Sequence, residues 1–169
     1  MSAAPTVPEA GAGDRSPGDR PPAELLTRLQ AYLAARSTLT LATAGPGGAP
    51  QAADLFFVAD QALNLYFVSS PGSRHSRALI SDPQVAATVH AETWEWQAIS
   101  GLQLEGRVRA LDGAEREAAL ARYSAKFPFV ERFAVELAAS ACYCLTPDWL
   151  RWLDNSRGFG HRVEWRRGG

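Results

Sequence analysis

The run Leu65-Tyr66-Phe67-Val68-Ser69-Ser70-Pro71-Gly72-Ser73-Arg74-His75-Ser76-Arg77-Ala78-Leu79-Ile80-Ser81-Asp82-Pro83-Gln84-Val85-Ala86 decides the reading of this chain. An apolar strand ends in hydroxyls, a Pro-Gly turn follows, a short helix opens at Ser73 and Arg74, and Asp82-Pro83 stops it before another strand. A helix start presents unpaired backbone N–H groups and the positive end of the helix dipole. Ser69, Ser70 and Ser73 add hydroxyl donors, and Arg74 adds a forked cation able to grip two phosphate oxygens at once. These are the parts of a phosphate cup. They are equally the parts of an ordinary hairpin-to-helix junction with an exposed arginine, and spacing alone does not separate the two.

Upstream, Ala23 to Arg36 places Leu25, Leu26, Leu29, Tyr32 and Leu33 at helical spacing, which predicts an amphipathic capping helix. Ser37–Thr43, Gln51–Val58 and Leu63–Ser69 read as three strands of a meander, the first pair joined through the Gly45-Pro46-Gly47-Gly48 turn. Downstream, Val85–His90 is a strand. Leu102, Leu104, Val108 and Ala110 then alternate with Gln103, Glu105, Arg107 and Arg109, interrupted by Gly106. Asp112 or Gly113 can cap a helix over Ala114–Lys126, whose apolar face is read as Ala118, Leu120, Ala121 and Phe127 and which Pro128 breaks. A second short helix is expected over Phe129–Ala138. Strands follow at Ala141–Leu145, Trp149–Leu153 and Arg162–Trp165, with a Gly-bearing turn over Asn155–Gly160. The order predicts a mainly β fold with inserted helices, six or seven antiparallel strands in all.

The chain has 169 residues, 46% of them hydrophobic and 21% charged, enough for one domain with a real core. Residues 1–22, rich in Pro, Ala and Gly, are expected to form a disordered tail, and 23–169 the folded domain. A net charge of -1 gives no overall pull toward nucleic acid or an anionic membrane, so a small-molecule or protein partner is expected. No apolar run approaches the roughly 20 residues of a membrane span, and the first twenty residues lack a secretory apolar core, which makes a cytoplasmic location the default. Cys142 and Cys144, two apart, read as reduced, half-buried residues on one face of a strand. A second Cys or His pair at ligand spacing is missing, so no metal is assigned. No triad or carboxylate pair marks a catalytic residue.

The quoted segment resembles the flavin-phosphate region of the pyridoxamine 5'-phosphate oxidase-like split β-barrels, in which a strand ending in Thr or Ser is followed by a Gly-Ser-Arg-Lys type helix start and an Asn-Pro or Asp-Pro stop. Gly72, Ser73 and Arg74 match that pattern, and His75 stands where Lys is common. The second half, through Gly101–Arg109, Tyr123–Phe127 with Pro128, and Asp154-Asn155-x-x-Gly158-Phe159-Gly160, is similar to one short bacterial branch of the superfamily. Together the resemblance covers about Leu25 to Trp165. It implies an antiparallel split barrel acting as a homodimer that holds FMN between its subunits. Ser69, Ser70, Ser73, Arg74 and His75 would take the phosphate. The backbone from Ala53 through Asp54, Leu55, Phe56 and Phe57 would line the isoalloxazine ring.

Near the C-terminus, Asp154, Asn155, Arg157, Phe159 and His161 form a dense polar and aromatic cluster. It reads either as a lip over the flavin, supplied from the neighbouring subunit, or as a tight turn in which Asn155 bonds its own backbone, Gly158 and Gly160 take positive φ, and Phe159 packs down. Trp94, Trp96, Trp149, Trp152 and Trp165 are expected mostly in the core or a dimer interface, with one of them available to stack near a flavin. The resemblance implies an FMN-dependent oxidoreductase acting on a small molecule, since a flavin needs no protein nucleophile. A non-catalytic flavin or haem binder or sensor, with His75 or His90 as iron ligand, and a deazaflavin-dependent reductase are the alternatives. Vitamin B6 oxidase activity is disfavoured, because Arg162-Val163-Glu164 puts an acidic group where an anionic substrate needs a cation.

Overall fold

A computed structural model describes residues 20–168; the expected N-terminal tail falls almost wholly outside the described residues. The chain runs α1 (Ala23–Ala34), β1 (Thr38–Ala44), β2 (Pro50–Ala59), β3 (Leu65–Ser69), α2 (Arg74–Ser81), β4 (Gln84–His90), β5 (Ser100–Leu111), α3 (Gly113–Lys126), α4 (Ala134–Ala139), β6 (Ala141–Asp154) and β7 (Arg162–Arg166). All strand pairs are antiparallel, in the order β3-β2-β1-β4-β5-β6-β7. A further pairing of β3 with β6 closes six of the strands into a barrel. The expected split-barrel fold is therefore the observed one.

Alternation in the strands aims one row of side chains inward: Leu39 and Leu41 from β1, Phe57 from β2, Leu65 and Phe67 from β3, and Leu102 and Leu104 from β5 are all essentially inaccessible to water. Helix α1 contributes Leu25, Leu29 and Leu33 to the same core. Its i, i+4 spacing makes that stripe, as the sequence implies. On β5 the alternation slips at its end, so that Ala110 is exposed and Leu111 buried instead.

Three elements depart from expectation. The buried residues of α3 are Ala119 and Tyr123, with Phe127 following, while Ala118 and Ala121 face water. Alanine carries too little apolar surface to mark a face, and the tyrosine, half polar by composition, is the true anchor. The Phe129–Ala138 helix is a 3-10 stretch over Pro128–Phe133 followed by the short α4. The two strands expected at Ala141–Leu145 and Trp149–Leu153 are one 14-residue strand, β6, with an irregular register opposite Glu105 and Gly106. Its first half pairs with β3 and its second with β7. A Cβ on Gly106 would lie 2.3 Å from the Thr146 carbonyl oxygen, so this close approach requires glycine.

Cys142 and Cys144 share one face, as expected, but are buried rather than half-buried. They pack with Leu111 and Ala119 beneath α3, and burial pushes both thiols up. Of the tryptophans, Trp152 and Trp165 are core, whereas Trp94 and Trp96 lie exposed. No helix among the described residues is long and apolar enough to cross a membrane.

Candidate functional site

Strand β2 pairs with β1 along Pro50–Phe56, but with β3 only through Phe57–Phe67, Val58–Tyr66 and Ala59–Leu65. On its other edge β3 pairs with β6 along its whole length, so Val68 and Ser69 continue opposite Cys142 and Ala141 after the pairing with β2 has ended. The barrel splits there, leaving one edge of β2 without a strand. The Phe57 N–H donates to the Ser37 carbonyl at 3.0 Å, on the β1 side. Alternation then directs the N–H and C=O of Asp54 and Phe56 to the open edge. The side chains divide differently. Asp54 is exposed and accepts a 2.6 Å hydrogen bond from Thr40 Oγ1. Leu55 packs on the core, and Phe57 is buried in it, so any contact Phe57 makes outside the barrel is through backbone. Phe56 is partly exposed and meets Phe127 and Phe129 edge-on, with ring centroids 5.2 and 5.4 Å away.

Helix α2 packs on β1 and β2, and the hydrogen bond from Ser69, two residues past the last β2–β3 pair, to Ser73 sets its start beside this open region. Ser73 is its N-cap, accepting from the Ser76 N–H at 3.2 Å. Ser69 Oγ donates to Ser73 Oγ at 3.2 Å, and Ser73 Oγ donates to Ser76 Oγ at 2.8 Å. His75 Nε2 lies 2.7 Å from Ser69 Oγ. With Ser69 donating onward, the imidazole Nε2–H is the donor in that contact. Burial holds the His75 pKa below its ordinary value, so the ring is neutral near pH 7. Ser70 stands exposed at the turn, its hydroxyl accepting from the Gly72 N–H at 3.2 Å. Arg74 is exposed at the first turn of α2, while Arg77 is folded back onto the Gly72 carbonyl.

Of the expected phosphate cup, the structure thus joins Ser69, Ser73 and His75 in one hydrogen-bonded chain and sets Ser70 and Arg74 on its rim. Sequence reasoning missed Thr40, Phe129 and Arg77. The first two reach the site only by strand register and helix packing, which leave no local signal. Arg77 was legible as the residue one helical turn after Ser73.

The C-terminal cluster is a separate place. Asn155 is buried, with Nδ2 donating to the Trp96 carbonyl and Oδ1 accepting from the Gly160 N–H, both at 2.9 Å. Its own N–H donates to the Ile99 carbonyl at 3.0 Å. Gly158 and Gly160 have φ of 128° and 70°. The tight-turn reading therefore describes Asn155 and the glycines. Phe159 does not pack down: it is 84% exposed, its ring centroid 5.8 Å from that of Trp96 in an edge-on arrangement. His161 is half-buried with Nε2 unpartnered, and Arg157 is exposed beside a cleft at the start of α1. The turn lies past the end of β4 from which the Trp96 segment departs, whereas α2 lies before its start. By register, Thr88 near the end of β4 stands level with Thr40 and Asp54, so the Trp96 segment leaves β4 toward the same end of the sheet as the open edge of β2.

A closed antiparallel barrel with a gap between β2 and β3, and a serine-rich helix start beside that gap, defines the class. The sequence profile of the pyridoxamine 5'-phosphate oxidase family matches residues 25–153, and the chain belongs to that family. Among individual proteins it is similar to UPF0306 protein plu4501 of Photorhabdus laumondii, at 33% identity over 144 residues, covering 80% of this chain and 92% of that one. In three dimensions it is similar to a haem binding protein from Mycobacterium smegmatis, with a TM-score of 0.70 at 22% identity, over 87% of this chain and 59% of that one. HutZ, the haem storage protein from Vibrio cholerae, aligns with a TM-score of 0.63 at 21% identity, over 72% of this chain and 88% of that one. These two likenesses establish the fold.

Proposed function

We propose that the chain binds FMN as a homodimer and works as a flavin-dependent oxidoreductase on a small molecule. The observation that carries this reading is the meeting of β2's open edge, at Asp54 and Phe56, with the start of α2. Unpaired strand N–H and C=O groups suit the donor and acceptor rim of a flavin ring. The first-turn N–H groups of α2, Ser69, Ser73 and Arg74 suit a phosphate. Neutral His75 adds a hydrogen bond but no charge, which leaves Arg74 as the cation of the cup. FMN, when bound, supplies the capacity to accept a hydride; the protein's residues bind it, orient it and shield it from water.

The dimer is supported by the outer face of the barrel. Thr40, Ala42, Ala52, Asp54, Ala86 and Thr88 are neighbours across β4, β1 and β2, all exposed or half-exposed, and all have short side chains. A lip of Arg157, Phe159 and His161, on the turn that Asn155 fastens, is supplied over the α2 cup in this reading by the second copy.

Replacing Arg74 by Ala removes a charge-assisted contact to phosphate. FMN affinity is expected to fall about 30-fold to 150-fold, with riboflavin much less affected. A flavin-fluorescence titration of both ligands against both proteins reads this. Equal losses for FMN and riboflavin, or no loss for FMN, refute the phosphate assignment.

A second reading, haem binding, is favoured by one feature. His90 lines an open cleft of about 620 Å³ between the ends of β4 and β5, bordered by Ile99 and Leu153. Similarity to a haem binding protein and a haem storage protein points the same way. The visible spectrum of freshly purified protein separates the two, because flavin and haem absorb in distinct bands.

A further inference from the structure

Beside the start of α2 runs a chain of hydrogen bonds with a titratable ring at one end. His75 Nε2 lies 2.7 Å from Ser69 Oγ, Ser69 Oγ 3.2 Å from Ser73 Oγ, and Ser73 Oγ 2.8 Å from Ser76 Oγ. Ser76 is buried and the other three are half-buried. Each hydroxyl owns one proton and donates once. While Nε2 carries a hydrogen, His75 donates to Ser69, and the Ser69 proton is free to point down the chain or out to a ligand. In the other neutral tautomer Nε2 is an acceptor, the Ser69 proton turns back to it, and Ser69 offers an anion only lone pairs.

The elements around the ring leave it free of charged partners among the described residues. Helix α2 itself supplies Arg74, exposed on the rim, and Arg77, folded onto the Gly72 carbonyl. Of the strands it packs on, β1 has no ionisable residue, and the one on β2, Asp54, is bonded to Thr40. On β3, Tyr66 is bonded to Asp60. Burial is the influence that acts on His75, and it holds the ring's pKa below its ordinary value.

We propose that His75 couples proton binding to phosphate binding at the start of α2, so that FMN is held more tightly as pH falls and more loosely as it rises. This rests on the FMN reading above and adds what governs the affinity of the cup. The imidazolium form is favoured beside a phosphate: it keeps Nε2 a donor, leaves the Ser69 proton for the ligand and adds a second cation to Arg74. Linkage makes the effect reciprocal, so phosphate strengthens proton binding at His75 by the same factor as the proton strengthens FMN binding. The gain is fully present below the pKa of His75 in the free protein and is lost as pH rises through its raised value in the complex.

Two titrations test the coupling. In the first, FMN and riboflavin are titrated by flavin fluorescence into the wild-type chain and into His75→Gln at about pH 8 and about pH 5.5. Gln donates to Ser69 but does not titrate, so the variant carries only the opposing effect of protonating the phosphate of FMN itself. Relative to that variant, wild-type affinity for FMN is expected to rise about 10-fold toward the lower pH, and affinity for riboflavin to show no such difference. The second titration follows the ring signals of the three histidines of the wild-type chain against pH, with His75 assigned by elimination through His90→Gln and His161→Gln. Saturating FMN is expected to raise the proton affinity of His75 about 10-fold, and riboflavin to leave it unchanged. If FMN binds more tightly than riboflavin, yet the pH profiles of wild type and His75→Gln run parallel or the His75 midpoint does not move with FMN, the coupling is overturned and the phosphate cup stands. Equal affinity for FMN and riboflavin at both pH values refutes the cup, and the coupling with it.

Discussion

Asn155 shows how one side chain ties two distant segments together. It sits in a polar, aromatic, Gly-bearing segment, the composition of a substrate lip, and its side chain and N–H bond to the backbone of Trp96, Gly160 and Ile99. Its work is to fasten the Trp96 segment to the turn before β7. Asn155→Ala leaves the Trp96 carbonyl and the Gly160 N–H without these partners. A cost of about 2 to 3 kcal/mol is expected, read as a lower midpoint in urea unfolding. FMN affinity in the folded variant is expected to stay within about 3-fold if the residue is only a fastener. A stability change under about 0.5 kcal/mol would contradict the role assigned to it.

Among the elements, α2 joins fold to candidate function. Only eight residues long, it is short of what holds alone in water, so its cap and its packing on β1 and β2 decide whether it forms. Ser73 Oγ takes part in three of its bonds, with Ser69, Ser76 N–H and Ser76 Oγ. Ser73→Ala is expected to destabilise the protein by about 1 kcal/mol through the lost cap. It is also expected to raise amide exchange at Ser76 and Arg77 ahead of the barrel strands. Uniform exchange across the whole chain would show that α2 is not a separately opening unit. Strand β6 teaches the opposite lesson about elements. Thr146-Pro147-Asp148 reads as a break in sequence, but the irregular register opposite Gly106 absorbs the proline, and the strand continues to a second partner.

For the whole molecule, the proposed homodimer is the decisive question, because in that reading the aromatic turn of a second copy completes the candidate phosphate site. Sedimentation at micromolar concentration is expected to give twice the monomer mass, with a buried interface above roughly 2,000 Å² in total. Thr40, Ala42, Ala86 and Thr88 make this testable: Ala86→Arg puts a long charged side chain on an exposed face of short side chains at no cost to the core. It is expected to yield monomers with unchanged barrel stability. A wild-type chain that sediments as a monomer, or an Ala86→Arg dimer of undiminished strength, refutes the face.

Local chemistry determined much of this protein from sequence alone. The strand pattern, the α1 stripe of Leu25, Leu29 and Leu33, the stop at Asp82-Pro83 and the capped start at Ser73 follow from periodicity, proline sterics and unpaired N–H groups, each acting within a few residues. Only the tertiary structure decided the rest. Closure through β3 and β6 selected which edge of β2 stays open, and register placed Thr40 against Asp54. Packing made Tyr123, not Ala118 or Ala121, the anchor of α3, and left two indole N–H groups buried without partners. These are contacts between residues far apart in the chain. No local propensity encodes them; they exist once the barrel has closed and fixed which side chains share a face.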